Sequence, residues 1–414
     1  MIATQAAARG YGAAYCGLTA ATVLLPSAKI EDVNVKFVLA AAVLACGVFA
    51  WREALSGDEA AARLGRRYLA VLAYVGGVIA LWSLVAIGNG FDPLPEIRSM
   101  LAPLFFVAAY HPRLVPPAWL LGVYCASTIV YATVKLVLLL GVYLGAVTEY
   151  GLVEIGRSVF EVEIVAGPTC TPGLRRLALP NDLAVAMFPL VLVDARYRRP
   201  WVYAAVTVCG LAVLATFSRY LMLAFIAISV IAAWQLFSTR ARIALATAVL
   251  AALAVAVSID GGACLLPRFM GAAHAAVSEA DKVTSYRDGR ALNVHADSVR
   301  KEQFARLKQL IVQKPLIGHG VGSYDRDYVR SPRTPFSYEL QLVSFVAKFG
   351  VIGFVLLALG AGMLCALLFG HSAAAWAAVL TLAASGVANP FYESSAFGVA
   401  FVLTAVVLGR WSQS

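Results

Sequence analysis

The sequence predicts an all-α polytopic integral membrane protein of about twelve transmembrane helices, with one large extracytoplasmic loop between the ninth and the tenth. Three observations carry this. Hydrophobic residues make up 61% of the 414 residues and charged ones only 14%, against roughly a quarter charged in soluble domains. Apolar runs of near-spanning length recur from one end of the chain to the other. Basic residues collect in every second short loop.

The apolar runs fall at about 8–25, 33–51, 68–88, 97–111, 117–142, 179–195, 200–217, 220–237, 243–259, 342–369, 373–389 and 392–409. A spanning helix needs roughly 17–25 residues, which most of them supply. The start, Met1-Ile2-Ala3-Thr4-Gln5, lacks the basic stretch and apolar core of a cleavable signal. The first run is therefore expected to persist as a helix. Arg63, Arg66 and Arg67 follow the second run, and Arg113 the fourth. Arg196, Arg198 and Arg199 follow the sixth, Arg240 and Arg242 the eighth, and Arg410 the last. By the positive-inside tendency these loops and both termini are expected in the cytoplasm.

The expected organisation is nine transmembrane helices over 1–259, an extracytoplasmic loop over 260–340, and three helices over 341–414. A smaller outer loop covers 143–178, where Val153-Glu154-Ile155 and Phe160-Glu161-Val162-Glu163-Ile164 alternate as segments lying along the interface do. In the large loop, Val299, Phe304, Leu307, Leu310 and Ile311 are spaced by helical turns. They predict an amphipathic helix over 298–312, ended by Lys314-Pro315.

The formal net charge of +10 is distributed over topology-setting loops and the large loop, which argues against a nucleic-acid partner. Of the seven cysteines, Cys16, Cys46, Cys125, Cys209 and Cys365 sit in apolar runs as small buried hydrophobes. Cys170 and Cys264 fall in polar loops expected on one side; a disulfide and two free thiols both remain open. No metal-ligand spacing appears, and neither a metal nor a cofactor is expected.

Chemistry concentrates where the large loop meets the tenth run. Pro315-Leu316-Ile317-Gly318-His319-Gly320-Val321-Gly322-Ser323 is a glycine-rich turn, without the Gly-Lys-Ser/Thr of a nucleotide loop. Ser337-Tyr338-Glu339-Leu340 heads the next helix, and Gly350-Val351-Ile352-Gly353 is a small-residue seam within it. Three residues are catalytic candidates. Arg219, in Thr216-Phe217-Ser218-Arg219, is either a snorkelling helix terminus or an anion ligand at the bilayer lip. Arg300 opens the loop helix amid basic neighbours whose charge an anionic head group would explain, since guanidinium forks bind phosphate oxygens in pairs. Glu339 is either a helix N-terminal acid favoured by the dipole or a general base. Tyr338, Arg330, Arg333, His319, Gly318 and Gly320 are the candidate substrate-binding residues around it. Lys135 and Glu393, charged within or beside apolar runs, either find partners or line a cavity.

On these motifs the chain resembles the O-antigen ligase and O-antigen polymerase superfamily of bacterial membrane glycosyltransferases. Thr216-Phe217-Ser218-Arg219 is similar to that family's Ser-Arg motif, and Arg300 before Phe304 to its loop arginine. The Pro315–Gly322 turn and the Gly350–Gly353 seam are similar to two more of its motifs, so that the likeness covers about 178–370. One departure bears on function: where ligases carry His-Asn before the seam, this chain has Glu339-Leu340.

The resemblance implies a GT-C-like fold in the bacterial inner membrane with a periplasmic active site. It implies a metal-independent glycosyltransferase whose donor is an undecaprenyl-diphosphate-linked oligosaccharide and whose acceptor is another glycan, with a chain-length regulator as a further partner. The departure at Glu339 favours polymerisation of O-antigen, capsule or exopolysaccharide repeat units. The alternatives are a ligase acting on lipid A-core or protein and, from another class, a transporter of polyprenyl-linked saccharide. A transporter should show paired interrupted helices and midplane charges, of which this chain offers only Lys135 and Glu393.

Overall fold

A computed structural model describes residues 2–25, 29–30, 33–55, 59–158, 165–168, 175–179, 181–236, 238–260, 290–329, 334–386 and 392–409. Arg330, Arg333, Cys170, Cys264 and the stretch 160–164 lie outside the described residues. The chain divides into two compact units. One comprises Met1–Ala13, Val43–Pro116 and Ser298–Ser414, the other Ala14–Ala42 and Pro117–Asp297.

Among the described residues the structure is almost wholly helical. In chain order run α1 (Ile2–Leu24), α2 (Val35–Leu55), α3 (Glu59–Gly88), α4 (Leu94–Ala109), α5 (Pro117–Tyr143), α6 (Glu149–Ser158) and α7 (Asp182–Ala186). They continue with α8 (Pro200–Leu214), α9 (Arg219–Gln235), α10 (Thr239–Asp260), α11 (Arg290–Gln313), α12 (Gln341–Phe369), α13 (Ala373–Gly386) and α14 (Ser395–Leu408). Two antiparallel hairpins interrupt them, pairing Lys29–Ile30 with Val33–Asn34 and Val165–Pro168 with Arg175–Ala178. Three stretches are long and apolar enough to cross a membrane: Arg66–Gly88, Pro117–Tyr143 and Gln341–Phe369. Shorter apolar helices, among them Pro200–Leu214, Tyr220–Gln235, Ala373–Gly386 and Ser395–Leu408, accompany them, and the protein is a multi-pass membrane protein. The expected helix over 298–312 is present within α11.

The run at 179–195 departs from one regular helix. It is the single turn α7 followed by 3-10 segments, Phe188–Val193 and Ala195–Tyr197. Pro189, at the start of the first 3-10 segment, cannot donate a backbone N–H, so an α ladder does not continue through it. Leu183 to Leu192 are almost wholly buried regardless.

The first unit is organised around a break in α12. Gly350 has φ 62° and ψ −177°, a backbone conformation that interrupts the helix. A break frees carbonyls on one side and N–H groups on the other, and apolar surroundings offer them no water. The glycine-rich turn satisfies both sets. His319 N–H donates to Ala347 O at 3.1 Å and Gly320 N–H to Lys348 O at 2.8 Å. In return Val351 N–H donates to Pro315 O at 2.9 Å and Ile352 N–H to Leu316 O at 3.1 Å. Helix α3 closes the other side of the turn: Val321 N–H donates to Trp82 O at 3.2 Å, and the Trp82 indole N–H to Ile317 O at 2.6 Å. A Cβ on Gly318 would meet the Lys348–Gly350 backbone, and one on Gly320 the Ala86 backbone. The turn is glycine-rich because backbone lies against backbone.

In the second unit α8 packs on α5 and α10, with Gly210 letting Phe225 and Ala252 approach closely. Lys135, in the middle of α5, pairs with Asp182 at 2.6 Å, and both side chains are 1% exposed. Asp182 also accepts from the Tyr131 hydroxyl at 3.0 Å and Leu179 N–H at 2.7 Å. Both carboxylate oxygens of Asp182 are thus hydrogen-bonded, which helps a buried charge to be tolerated. Two of the topology-setting arginines also cap helical ends. Arg198 donates to Leu192 O at 3.1 Å and Val193 O at 2.7 Å, and Arg242 to Leu236 O at 2.7 Å.

Three outcomes follow from this packing. Gly350→Ala and Gly320→Ala should each lower the thermal midpoint in detergent by an amount equivalent to more than about 1 kcal/mol, since alanine does not fit a positive φ. Gly362→Ala, with nothing within 4 Å of its Cβ position, should be neutral or stabilising by up to about 1 kcal/mol. Lys135→Met should cost about 3–5 kcal/mol by stranding Asp182, and the double variant with Asp182→Asn should recover part of that loss in the same assay.

Candidate active site

The candidate site of the first unit lies where α11, the 334–340 segment and the head of α12 meet. Leu307 of α11, Tyr338 and Ala347 of α12 form a buried apolar cluster, flanked by Leu310, Ile311, Leu340 and Val343. The helical spacing that predicted α11 is what turns Leu307, Leu310 and Ile311 toward α12. Arg300 and Gln303 are three apart, so they share a face of α11 and reach the head of α12 together. Arg300 Nε donates to Glu339 Oε2 at 2.8 Å, with the side chains 25% and 17% exposed. Gln303 Oε1 accepts the Glu339 N–H at 3.2 Å. The structure thus brings together two of the three predicted catalytic residues. They form a partly exposed ion pair.

Tyr338 is buried, and its hydroxyl oxygen accepts the Asp325 N–H at 2.9 Å. Burial pushes the phenol up to about 12, so at neutral pH it remains a neutral structural group. His319 is 8% exposed. Its Nε2 lies 2.9 Å from Leu310 O, a contact that requires the Nε2–H tautomer, and its carbonyl accepts from Asn89 Nδ2 at 3.0 Å. Gly318 and Gly320 act through their backbones in the turn already described.

Arg219 belongs to the second unit, where it opens α9; its side chain lies outside the described residues. The turn before it is strained. Phe217 has φ 53°, the single positive-φ residue other than glycine among the described residues. Such strain costs of order 1–3 kcal/mol and gathers at functional sites. Thr216 holds the turn, donating to Val213 O at 2.7 Å while accepting Ser218 N–H at 2.9 Å.

A second charged cluster in the first unit was not anticipated. Glu96, at the start of α4, pairs with Lys348 of α12, their side chains 0% and 3% exposed. Glu96 also accepts the N–H of Gly322, and Lys348 donates to Phe336 O at 2.8 Å. Glu393 lies just before α14 and is half-buried. The segment carrying it is tied to the head of α12, where Tyr392 N–H donates to Gln341 Oε1 at 2.8 Å. A lysine inside an apolar helix was the available sequence signal; its carboxylate partner, Glu96, lies 252 residues away, and no spacing links them.

No curated protein matches the chain. Residues 203–358 match the family model described as Wzy_C, O-antigen ligase. The matched stretch contains Arg219, Arg300, Glu339, Lys348 and Gly350, while Glu96 and Glu393 fall outside it. The family's members are glycan-transferring enzymes of polysaccharide assembly. Over residues 203–358 this membrane protein is therefore similar to the Wzy_C O-antigen ligase family.

Proposed function

We propose that the protein polymerises undecaprenyl-diphosphate-linked oligosaccharide repeat units into O-antigen, capsule or exopolysaccharide, at the periplasmic face of the inner membrane. The observation that carries this reading is the Arg300–Glu339 pair at 2.8 Å, at the position where the family's ligases carry histidine. In the resting protein each residue neutralises the other. A lipid diphosphate offers Arg300 a more highly charged partner with oxygens matched to its fork. Once Arg300 turns to the diphosphate, Glu339 is released to accept the proton of an acceptor hydroxyl.

That hydroxyl oxygen forms the new bond to the anomeric carbon of the donor as the bond from that carbon to the diphosphate breaks. The diphosphate leaves with the electron pair, its charge stabilised by Arg300, and the proton resides on Glu339. No nucleotide is required, since the donor is already activated on its lipid. Arg219 is a separate anion-ligand candidate in its own unit, on the strength of the strained turn before it. The family description favours a second reading, ligation of finished glycan to lipid A-core or protein, with Glu339 in the place of histidine.

The chain-length ladder of surface glycan in a deletion strain carrying Glu339→Gln, Arg300→Ala or Arg219→Ala tests the proposal. Single repeats still joined to their final acceptor, with at least a hundredfold less polymer, are expected for Glu339→Gln and Arg300→Ala. Lipid-linked polymer accumulating without attachment would establish the ligase reading instead. Wild-type ladders from all three variants would remove these residues from the site.

A further inference from the structure

Gln303 has no part in the reaction just described, yet it is wholly buried beside Arg300 and Glu339. It stands one turn along α11 from Arg300, in the row that continues to the buried Leu307. The Glu339 N–H, at 3.2 Å, needs an acceptor, so the amide oxygen Oε1 takes that place and fixes the orientation of the group. The amide nitrogen Nε2 is buried as well and, among the described residues, meets no acceptor. A buried donor left unmade is costly, and an apolar side chain such as Leu307 one turn on avoids the cost altogether. A donor kept there points to a partner that the resting arrangement withholds. By reach that partner is the Glu339 carboxylate. It belongs to the residue whose N–H Gln303 already holds, and Oε1 and Nε2 share one carbon, so rotation of the Glu339 side chain is enough to join them.

We propose that Gln303 is a positioning residue that takes over the Glu339 carboxylate when Arg300 leaves it for a diphosphate. This rests on the exchange of Arg300 between Glu339 and the diphosphate in the reading above. At rest the guanidinium holds Glu339 Oε2 at 2.8 Å, and Nε2 is idle. On exchange, a carboxylate only 17% exposed loses the guanidinium, and Nε2 supplies an N–H in its stead. The replacement suits a base. An amide carries no charge, so it orients the carboxylate less tightly than a guanidinium does and leaves it able to accept the hydroxyl proton. Oε1 meanwhile keeps the Glu339 N–H, so the backbone at the head of α12 stays in place while the side chain changes partner.

The test is calorimetric binding of inorganic diphosphate to the full chain in nanodiscs of zwitterionic lipid, at one fixed ionic strength. The binding that counts is the part that Arg300→Ala removes. Gln303→Met, close to glutamine in length but without its amide, should raise the Kd about tenfold, because the released carboxylate then gains no N–H in exchange. Gln303→Leu makes the same comparison if the methionine variant does not fold. Glu339→Gln should tighten binding, having no carboxylate to hold Arg300 back. In that background Gln303→Met should change the Kd by less than about twofold, whereas a merely structural glutamine would shift it equally in both backgrounds. Tighter binding by Glu339→Gln, together with an unchanged Kd in Gln303→Met or equal shifts in both backgrounds, overturns the role of Gln303 and leaves the exchange standing. Absence of binding that Arg300→Ala removes, or binding that Glu339→Gln does not tighten, overturns the exchange in the proposed function and the role of Gln303 with it.

Discussion

The interruption of α12 at Gly350 is the constraint on which the arrangement of the first unit depends. An unbroken helix there would leave the Pro315–Gly322 turn with no α12 backbone groups to bind. The break supplies two carbonyls and two N–H groups, and the turn meets each with a partner between 2.8 and 3.1 Å. Unpaired, each of these groups would cost several kcal/mol in an apolar surround. Turn and break thus require each other, and the partner chosen fixes the end of α11 against α12. That in turn delivers Arg300 to Glu339.

Two ion pairs of the first unit divide their roles by exposure. Arg300 and Glu339 keep a quarter to a sixth of their side-chain surface accessible, so separating them carries a small desolvation cost. Lys348 and Glu96 are enclosed; separating them strands buried charge, which is costly enough to make the pair a fixed element. An exchangeable pair beside a fixed one suits a site in which a charged substrate must displace something without dismantling its surroundings.

Much of the fold was legible because its signals are local. Apolar runs at 68–88, 117–142 and 342–369 correspond to the three longest apolar stretches, and the spacing of Leu307, Leu310 and Ile311 marked the packed face of α11. The run at 179–195 was less regular than its composition implied, since hydropathy does not register what Pro189 does to a hydrogen-bond ladder. In the site, Arg300 and Glu339 were each visible at a helix end, but their pairing depends on the α11–α12 packing. His319 and Tyr338 looked reactive by residue type; tertiary contacts spend the polar atoms of both on backbone groups. Glu96 was hidden for the opposite reason, as an unremarkable first-turn acid whose partners lie 226 and 252 residues away.

The most direct measurement is glycan transfer by the purified protein in nanodiscs, with a polyprenyl-diphosphate-linked repeat unit as both donor and acceptor and no other protein present. Glycan lengthened by whole repeats is expected, with one polyprenyl diphosphate released per bond formed, and loss of both products on Glu339→Gln. Release and lengthening at the wild-type rate by Glu339→Gln would contradict it.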